Sequence, residues 1–275
     1  MGGHAFPITD HHIHIDPRNG RGIDAAKDFR RSGGTHLFLV SKPSSSFGIL
    51  PSRGEDFLPV FEETLSVARM ISETGIVVYP VLGVHPAEIT RLLDLFPLER
   101  AVEIMKGGIS LAARFVADGA AVGIKSGRPH YEVSQEIWDA SNDVLSYAFQ
   151  QAGEVGCAVQ VHAESGPCAD MQRMASLAGL SPDRVVKHYA VPGTPLVPSL
   201  LATHPDIPEL AGSGREFMME SDYMDEHSRP GAVIGPRSVP RVTTRLLALG
   251  RIDSAAVHRV HVATPSRVYG VDIVL

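Results

Sequence analysis

Cysteine is scarce. Only Cys157 and Cys168 occur in 275 residues, too few for a disulfide framework and suited to a reducing compartment. Net basic charge is also missing: the chain carries −6 at pH 7, with a pI of about 6.1. No overall field therefore draws in nucleic acid or an anionic membrane, although a local basic rim remains open. The longest apolar run, residues 76–84, is far below the roughly 20 residues that span a bilayer. The opening MGGHAFPITD has no basic segment followed by an apolar one, the pattern of a signal peptide. These absences lead to the expectation of a soluble, cytoplasmic protein. Aromatic residues make up 6%, and no apolar stripe marks an oligomer interface, so the oligomeric state stays open.

What is present is a regular alternation. Short apolar runs over 8–15, 35–41, 77–84, 121–125, 158–162, 185–189 and 216–222 predict strands, with a weaker one over 207–210. Helical patterns are expected over 57–74, 98–118, 134–154, 168–178, 196–203 and 238–249. Strand–helix repetition predicts parallel βαβ units. Eight strands in a chain of this length favour an α/β fold of the closed (β/α)8 TIM-barrel class, one domain over 1–275, rather than an open sheet. No repeat or linker divides the chain. The Pro- and Gly-rich stretches SKPSSSFGILPSRG, VPGTPLVPS and MDEHSRPGAVIGPRSVP each follow the C-terminal end of a strand, where barrel enzymes build their sites.

The segment TDHHIHIDP over 9–17 places three histidines and two aspartates in nine residues. His12 and His14 are two apart, so on a strand they point to one side, and Asp10 or Asp16 is placed to orient one of them. Taken alone, the pair is a weak signal and is more readily the polar end of a strand or a cap. Other strand ends add to it: Lys125 closes AVGIK, His162 closes CAVQVH, His188 closes RVVKH and Asp222 closes FMMESD. Charged groups at buried strand ends need partners or a metal, and the five ends together read as one metal site.

These residues resemble the amidohydrolase superfamily of metal-dependent hydrolases, with DHHIH similar to its first-strand Asp-x-His-x-His signature. GVHPAEI, ESDY and the closing TPSRVYGV resemble TatD-like hydrolases; IKSGRPHY, HAES and GLSPDRVVKHY look like the phosphotriesterase and lactonase branch. The resemblance implies that His12, His14 and Asp222 hold one divalent metal, that His162 and His188 hold a second, and that Lys125 bridges them. TatD-like enzymes carry a glutamate where this chain has Lys125. A lysine ammonium has no lone pair for a cation, so Lys125 serves only if carboxylated by CO₂; otherwise it pairs with Glu132, Glu164 or Asp222. The implied chemistry is attack of a metal-activated water on an ester, a phosphoester or lactone first, with Asp222 taking up the proton. Imidazole-rich ligation suits zinc, with manganese, iron or magnesium as alternatives.

His85, Arg128 and Glu164 are candidate substrate-binding residues. For His85 the plainer reading is a turn-stabilising residue before Pro86, for Arg128 and His130 a solvated loop, and for Glu164 an ion pair with Lys187. Lys42, Arg53 and Arg229 sit in loops on the same face, where they could meet phosphate although loop basics are usually just solvated; Cys157 reads as core, and Cys168 has no partner base. Three other readings stay open. One is a TatD-like deoxyribonuclease, ranked below a small-molecule substrate because of the charge. A second is a Schiff-base lyase or aldolase-type barrel through Lys125 or Lys187. A third is a non-catalytic binding barrel.

Overall fold

Runs of β-branched residues bounded by glycine, proline or polar turns become strands, as their length and period require. A computed structural model describes residues 6–226 and 234–275. Among these, the strands are β1 (Thr9–His14), β2 (His36–Val40), β3 (Val77–Gly83), β4 (Gly123–Gly127), β5 (Ala158–His162), β6 (Val185–Lys187), β7 (Val197–Leu201), β8 (Met218–Glu220) and the two-residue β9 (Tyr223–Met224). Every recorded register is parallel. The chain gathers into two compact units, one of residues 1–39, 66–79 and 198–275, the other of 40–65 and 80–197.

In the first unit, β1 pairs with β2 (Thr9 opposite His36) and with β9 (His14 opposite Met224), and β7 pairs with β8. Helix Ile23–Arg31 buries Ala25, Ala26 and Phe29 at helical spacing. Phe29 enters a core with Ile13, Leu37, Leu39, Val67, Ile71 and Ile76. Alternation along β1 separates its histidines. His11 faces away from His12 and His14, its ring held by Ser199 Oγ at 3.0 Å and Tyr269 Oη at 2.8 Å. Tertiary packing thus accounts for one of the three histidines in the N-terminal cluster.

In the second unit, β3, β4, β5 and β6 pair in chain order. Helices Leu98–Ala117 and Gln135–Val155 bury Ile104, Ile109, Leu145 and Phe149 against them. Ser134 caps the second of these by accepting from Ile137 N, and Gly156 ends it at φ 72°, a left-handed conformation that suits glycine.

Two expectations exchange places. Residues 196–203, expected as helix, form β7, and 207–210, expected as a strand, open helix Ile207–Gly212. Pro198 gives 196–203 the look of a helix start, yet a strand accepts a proline where no ladder donor is needed. The true start is Asp206-Ile207-Pro208, with proline in the first helical positions. Strand β9 and helices Ile23–Arg31, Glu88–Leu92, Ser254–His258 and Thr264–Tyr269 lie outside the segments that the sequence pattern marks. Most are too short for a periodic signal. Arg229 lies outside the described residues, and among those described no helix is long and apolar enough to cross a membrane.

Two buried histidines outside the strand-end set make the fold acid-sensitive. His261, in the π-helical turn Arg259–Ala263, faces Thr9 through Nδ1 at 3.2 Å and Thr243 Oγ1 through Nε2 at 2.9 Å. Burial lowers it to about 4, and does the same to His36. Both stay neutral in the fold while the unfolded chain takes up protons below the ordinary value of 6.5. Stability from these groups is present above that value and lost as pH falls toward 4. Urea unfolding between pH 6 and 5 is expected to show a fall of about 1 kcal/mol per group. A flat profile over that interval counts against neutral burial.

Candidate metal centre

The first unit contributes three of the expected ligands. His12 and His14 share the face of β1 opposite His11, both buried, with their Nε2 atoms 3.1 Å apart. Asp222 Oδ1 lies 3.7 Å from His12 Nε2. Asp222 is two residues past β8, at φ 46°, a left-handed conformation that a non-glycine residue holds only when its surroundings enforce it. Here its backbone N–H donates to His12 O at 3.0 Å. Asp10 lies beneath: its Oδ1 accepts from His12 N at 3.3 Å and Ser221 N at 3.0 Å. Burial raises its carboxyl to about 7 against these hydrogen bonds. Asp10 therefore supports the backbone of two ligand-bearing segments, the orienting role expected of it carried out through peptide groups. Asp16 instead accepts from Arg18 N and Asn19 N in the following turn.

The second unit supplies the other set. β4 and β5 run in register with Lys125 opposite Gln160 and Gly127 opposite His162. His162 Nδ1 lies 2.8 Å from His188 Nε2, and its Nε2 lies 2.9 Å from His130 Nδ1. The ring of His85 is 4.6 Å from that of His162, centroid to centroid. Burial, then the charges of His85, Lys125, His130 and Lys187, holds His162 well below the ordinary imidazole range. It is thus a neutral ring with one nitrogen lone pair to offer. Lys125 is buried on the strand beside it.

The backbones here are close-packed. A Cβ on Gly127 would fall 1.8 Å from His162 O, and one on Gly83 1.9 Å from Lys125 O. Glycine is therefore what lets the strands bearing Lys125 and His162 approach.

Three expectations change. Arg128 and Glu164 bind each other: the guanidinium, 3% exposed, donates from Nε and Nη2 to Glu164 and from both terminal nitrogens to Asp170. It also stacks over Trp138 at 4.5 Å. With its donors committed, Arg128 is a structural link rather than a solvated loop residue or an anion receptor, and Glu164 takes Arg128 where Lys187 was the expected partner. Lys187 Nζ donates to His188 O at 2.9 Å, steadying a candidate ligand. His85 fits its plainer reading, its Nδ1 accepting from Ala87 N at 3.2 Å, and its ring lies beside that of His162. His130, read as an anion contact, joins the histidine cluster. Gln160, which no strand-end pattern marks, lies two residues before His162 in the string VQVH and so on the same side of β5. Burial pushes Cys157 up to about 12 and Cys168 to about 11, so neither supplies a thiolate.

Both nitrogen pairs suit a cation. Two imidazole nitrogens bound to one zinc at about 2.0–2.1 Å in tetrahedral geometry stand about 3.3 Å apart, near the 3.1 Å and 2.8 Å seen here. A carboxylate beside the first pair supplies the negative charge that two neutral rings lack.

Comparison with known proteins gives these sets a family. An uncharacterized protein of Methanocaldococcus jannaschii is 35% identical over 98% of this chain and 98% of its own. Among solved structures, a TatD homolog from Escherichia coli K12 superposes with a TM-score of 0.64 at 14% identity, covering 96% of this chain and 98% of that one. A phosphotriesterase homology protein from Escherichia coli, with phosphate in its active site, gives 0.59 at 13% identity over 98% and 100%. An organophosphorus hydrolase variant from Deinococcus radiodurans gives 0.60 at 14% over 98% and 95%. At such identities the likeness is one of fold, the α/β TIM-barrel class that strand–helix alternation predicts. The model of the family described as TatD related DNase matches residues 9–201, the span from β1 to β7 that carries every candidate ligand except Asp222. The chain belongs to the TatD-related DNase family of hydrolases.

Proposed function

We propose that the chain is a metal-dependent hydrolase that cleaves an ester bond, a phosphoester before a lactone, and that residues 1–275 act as one catalytic domain. The observation that carries this reading is the pairing of imidazole nitrogens at 3.1 Å and 2.8 Å, the first pair buried and beside a carboxylate. In this reading His12, His14 and Asp222 would hold one divalent ion, His162 and His188 would hold another, and Lys125 would serve as a metal ligand once carboxylated. Bound there, the ions would supply a hydroxide near neutral pH and polarise the oxygen under attack. Asp222 takes the proton from the attacking water and returns it to the leaving group. His85 faces the substrate, and Lys187 and Asp10 keep the ligand-bearing backbone in place. Zinc suits the donor set first.

The family favours a phosphoester over a lactone and supports the deoxyribonuclease alternative, with a DNA strand as substrate. The test is a panel of phosphodiesters, lactones and single-stranded oligodeoxynucleotides, assayed before and after chelation. Chelation should lower turnover at least about 100-fold, with zinc or manganese restoring it. Activity indifferent to chelation would overturn the proposal, as would borohydride trapping of a carbonyl compound on Lys125.

A further inference from the structure

Away from the histidines, three guanidinium groups of the first unit converge on one carboxylate. Asp28, its side chain 1% exposed, accepts from Arg21 Nη2 at 2.8 Å and also from Arg31 and Arg237. One carboxylate neutralises one of these three cations. Arg21 and Arg237 line an open cleft of about 460 Å³ together with Asp28, Ser238 and Arg241, so the lining carries two positive charges in excess. Arg241 makes no ion pair among the described residues. Arg237 is the N-cap of helix Ser238–Ala248, whose first turn holds no acidic residue. The positive end of a helix dipole disfavours cations and favours an anion, so the arrangement is electrostatically incomplete without one.

Its place in the fold is suggestive. Arg21 belongs to the loop after β1, the strand of His12 and His14, and Arg237 ends the connection that leaves β8 by way of Asp222. The Arg21 loop is preset. Asp225, fully buried, accepts from Asp16 N at 2.9 Å, Arg21 N at 2.7 Å and Gly22 N at 2.7 Å. A Cβ on Gly20 would come within 2.3 Å of its carboxylate. The arginine is thus held before any ligand arrives, which lowers the ordering cost of binding.

We propose that this cleft is a phosphate-binding site in which Arg21, Arg237 and Arg241 grip a phosphate of the substrate other than the one under attack. Asp28 acts as the positioning residue that pins two of them. Guanidinium forks match phosphate oxygens two at a time, and the excess charge suits a dianion. The assignment of that phosphate to the substrate rests on the ester-hydrolase reading; its binding does not.

The test is calorimetric titration of the full chain, as purified, with inorganic phosphate at two salt concentrations. Wild type should show salt-sensitive binding that Arg241→Gln and Arg21→Gln each weaken at least about tenfold. Arg31→Gln removes an Asp28 partner that lies outside the cleft and should leave affinity within about twofold. Because Arg241 loses no ion pair among the described residues, its variant is expected to keep the fold, and Arg241→Lys provides a second check with an expected loss of about threefold. Phosphate binding equal in wild type and Arg241→Gln would overturn the proposal, as would an equal loss in Arg31→Gln. The same titration with a 5′-mononucleotide and a 5′-phosphorylated oligodeoxynucleotide distinguishes a small phosphoester from a nucleic acid strand as the source. Failure of metal-dependent hydrolysis, with Arg241-dependent phosphate binding intact, would remove the ester reading and leave the cleft standing.

Discussion

Replacing Asp222 with asparagine lowers kcat by about 10²–10⁴-fold, the range expected when a positioned proton acceptor is lost, and leaves the fold intact. Asparagine keeps the shape and, like aspartate, tolerates the left-handed backbone at φ 46°. The hydrogen bond from the residue 222 amide to His12 O at 3.0 Å is a backbone interaction and survives the change. What disappears is a negative charge 3.7 Å from His12 Nε2, together with the oxygen able to hold a proton. Steady-state kinetics on any active phosphoester or lactone, with circular dichroism as the control for folding, measures the effect. A well-folded variant within about fivefold of wild type would remove Asp222 from the chemistry.

Gly127→Ala is expected to be among the most destabilising single changes in the second unit, at about 3 kcal/mol or more. The added methyl would fall 1.8 Å from His162 O. That atom is backbone and cannot swing aside as a side-chain tip can. The carbonyl also accepts from Arg128 N at 2.9 Å, and Gly127 is locked opposite His162 by strand register. Relief requires separating β4 from β5, which moves His162 as well, so metal affinity should fall with stability. Urea unfolding reads the first effect and metal titration the second. Gly212→Ala is the control: its Cβ would meet nothing within 4 Å, and its expected change is below about 1 kcal/mol. Equal midpoints for the two variants would show that the strands can part freely.

Much of this arrangement is legible in the chain because strand ends impose a strong regularity. A polar residue closing an apolar run must either reach solvent or find partners, and His162 and His188 meet each other as that argument requires. The i, i+2 spacing of His12 and His14 likewise predicts a shared face. Other features are set by contacts distant in sequence, which no local pattern encodes. Arg128 reads as a loop cation until Glu164 and Asp170, 36 and 42 residues on, are seen to enclose it. Residues 196–203 look helical because propensity sees Pro198 and leucines, whereas their pairing with β8 decides the matter. Gln160 hides in an apolar run, and its polarity becomes informative only once Lys125 stands opposite it. Asp28 carries no motif at all, since its three arginines come from two ends of the chain.

The way residues 16–22 wrap around Asp225 also bears on how this protein could be redesigned. Three amides of this loop, those of Asp16, Arg21 and Gly22, donate to one interior carboxylate, so lengthening that connection or exchanging it for a relative's would strand the acid. It is a poor graft point. Diversity intended to broaden the accepted chemistry is better introduced at the turn around Gly48, where an added Cβ would meet nothing within 4 Å, with Ser44 kept because its amide donates to the buried Glu88 carboxylate.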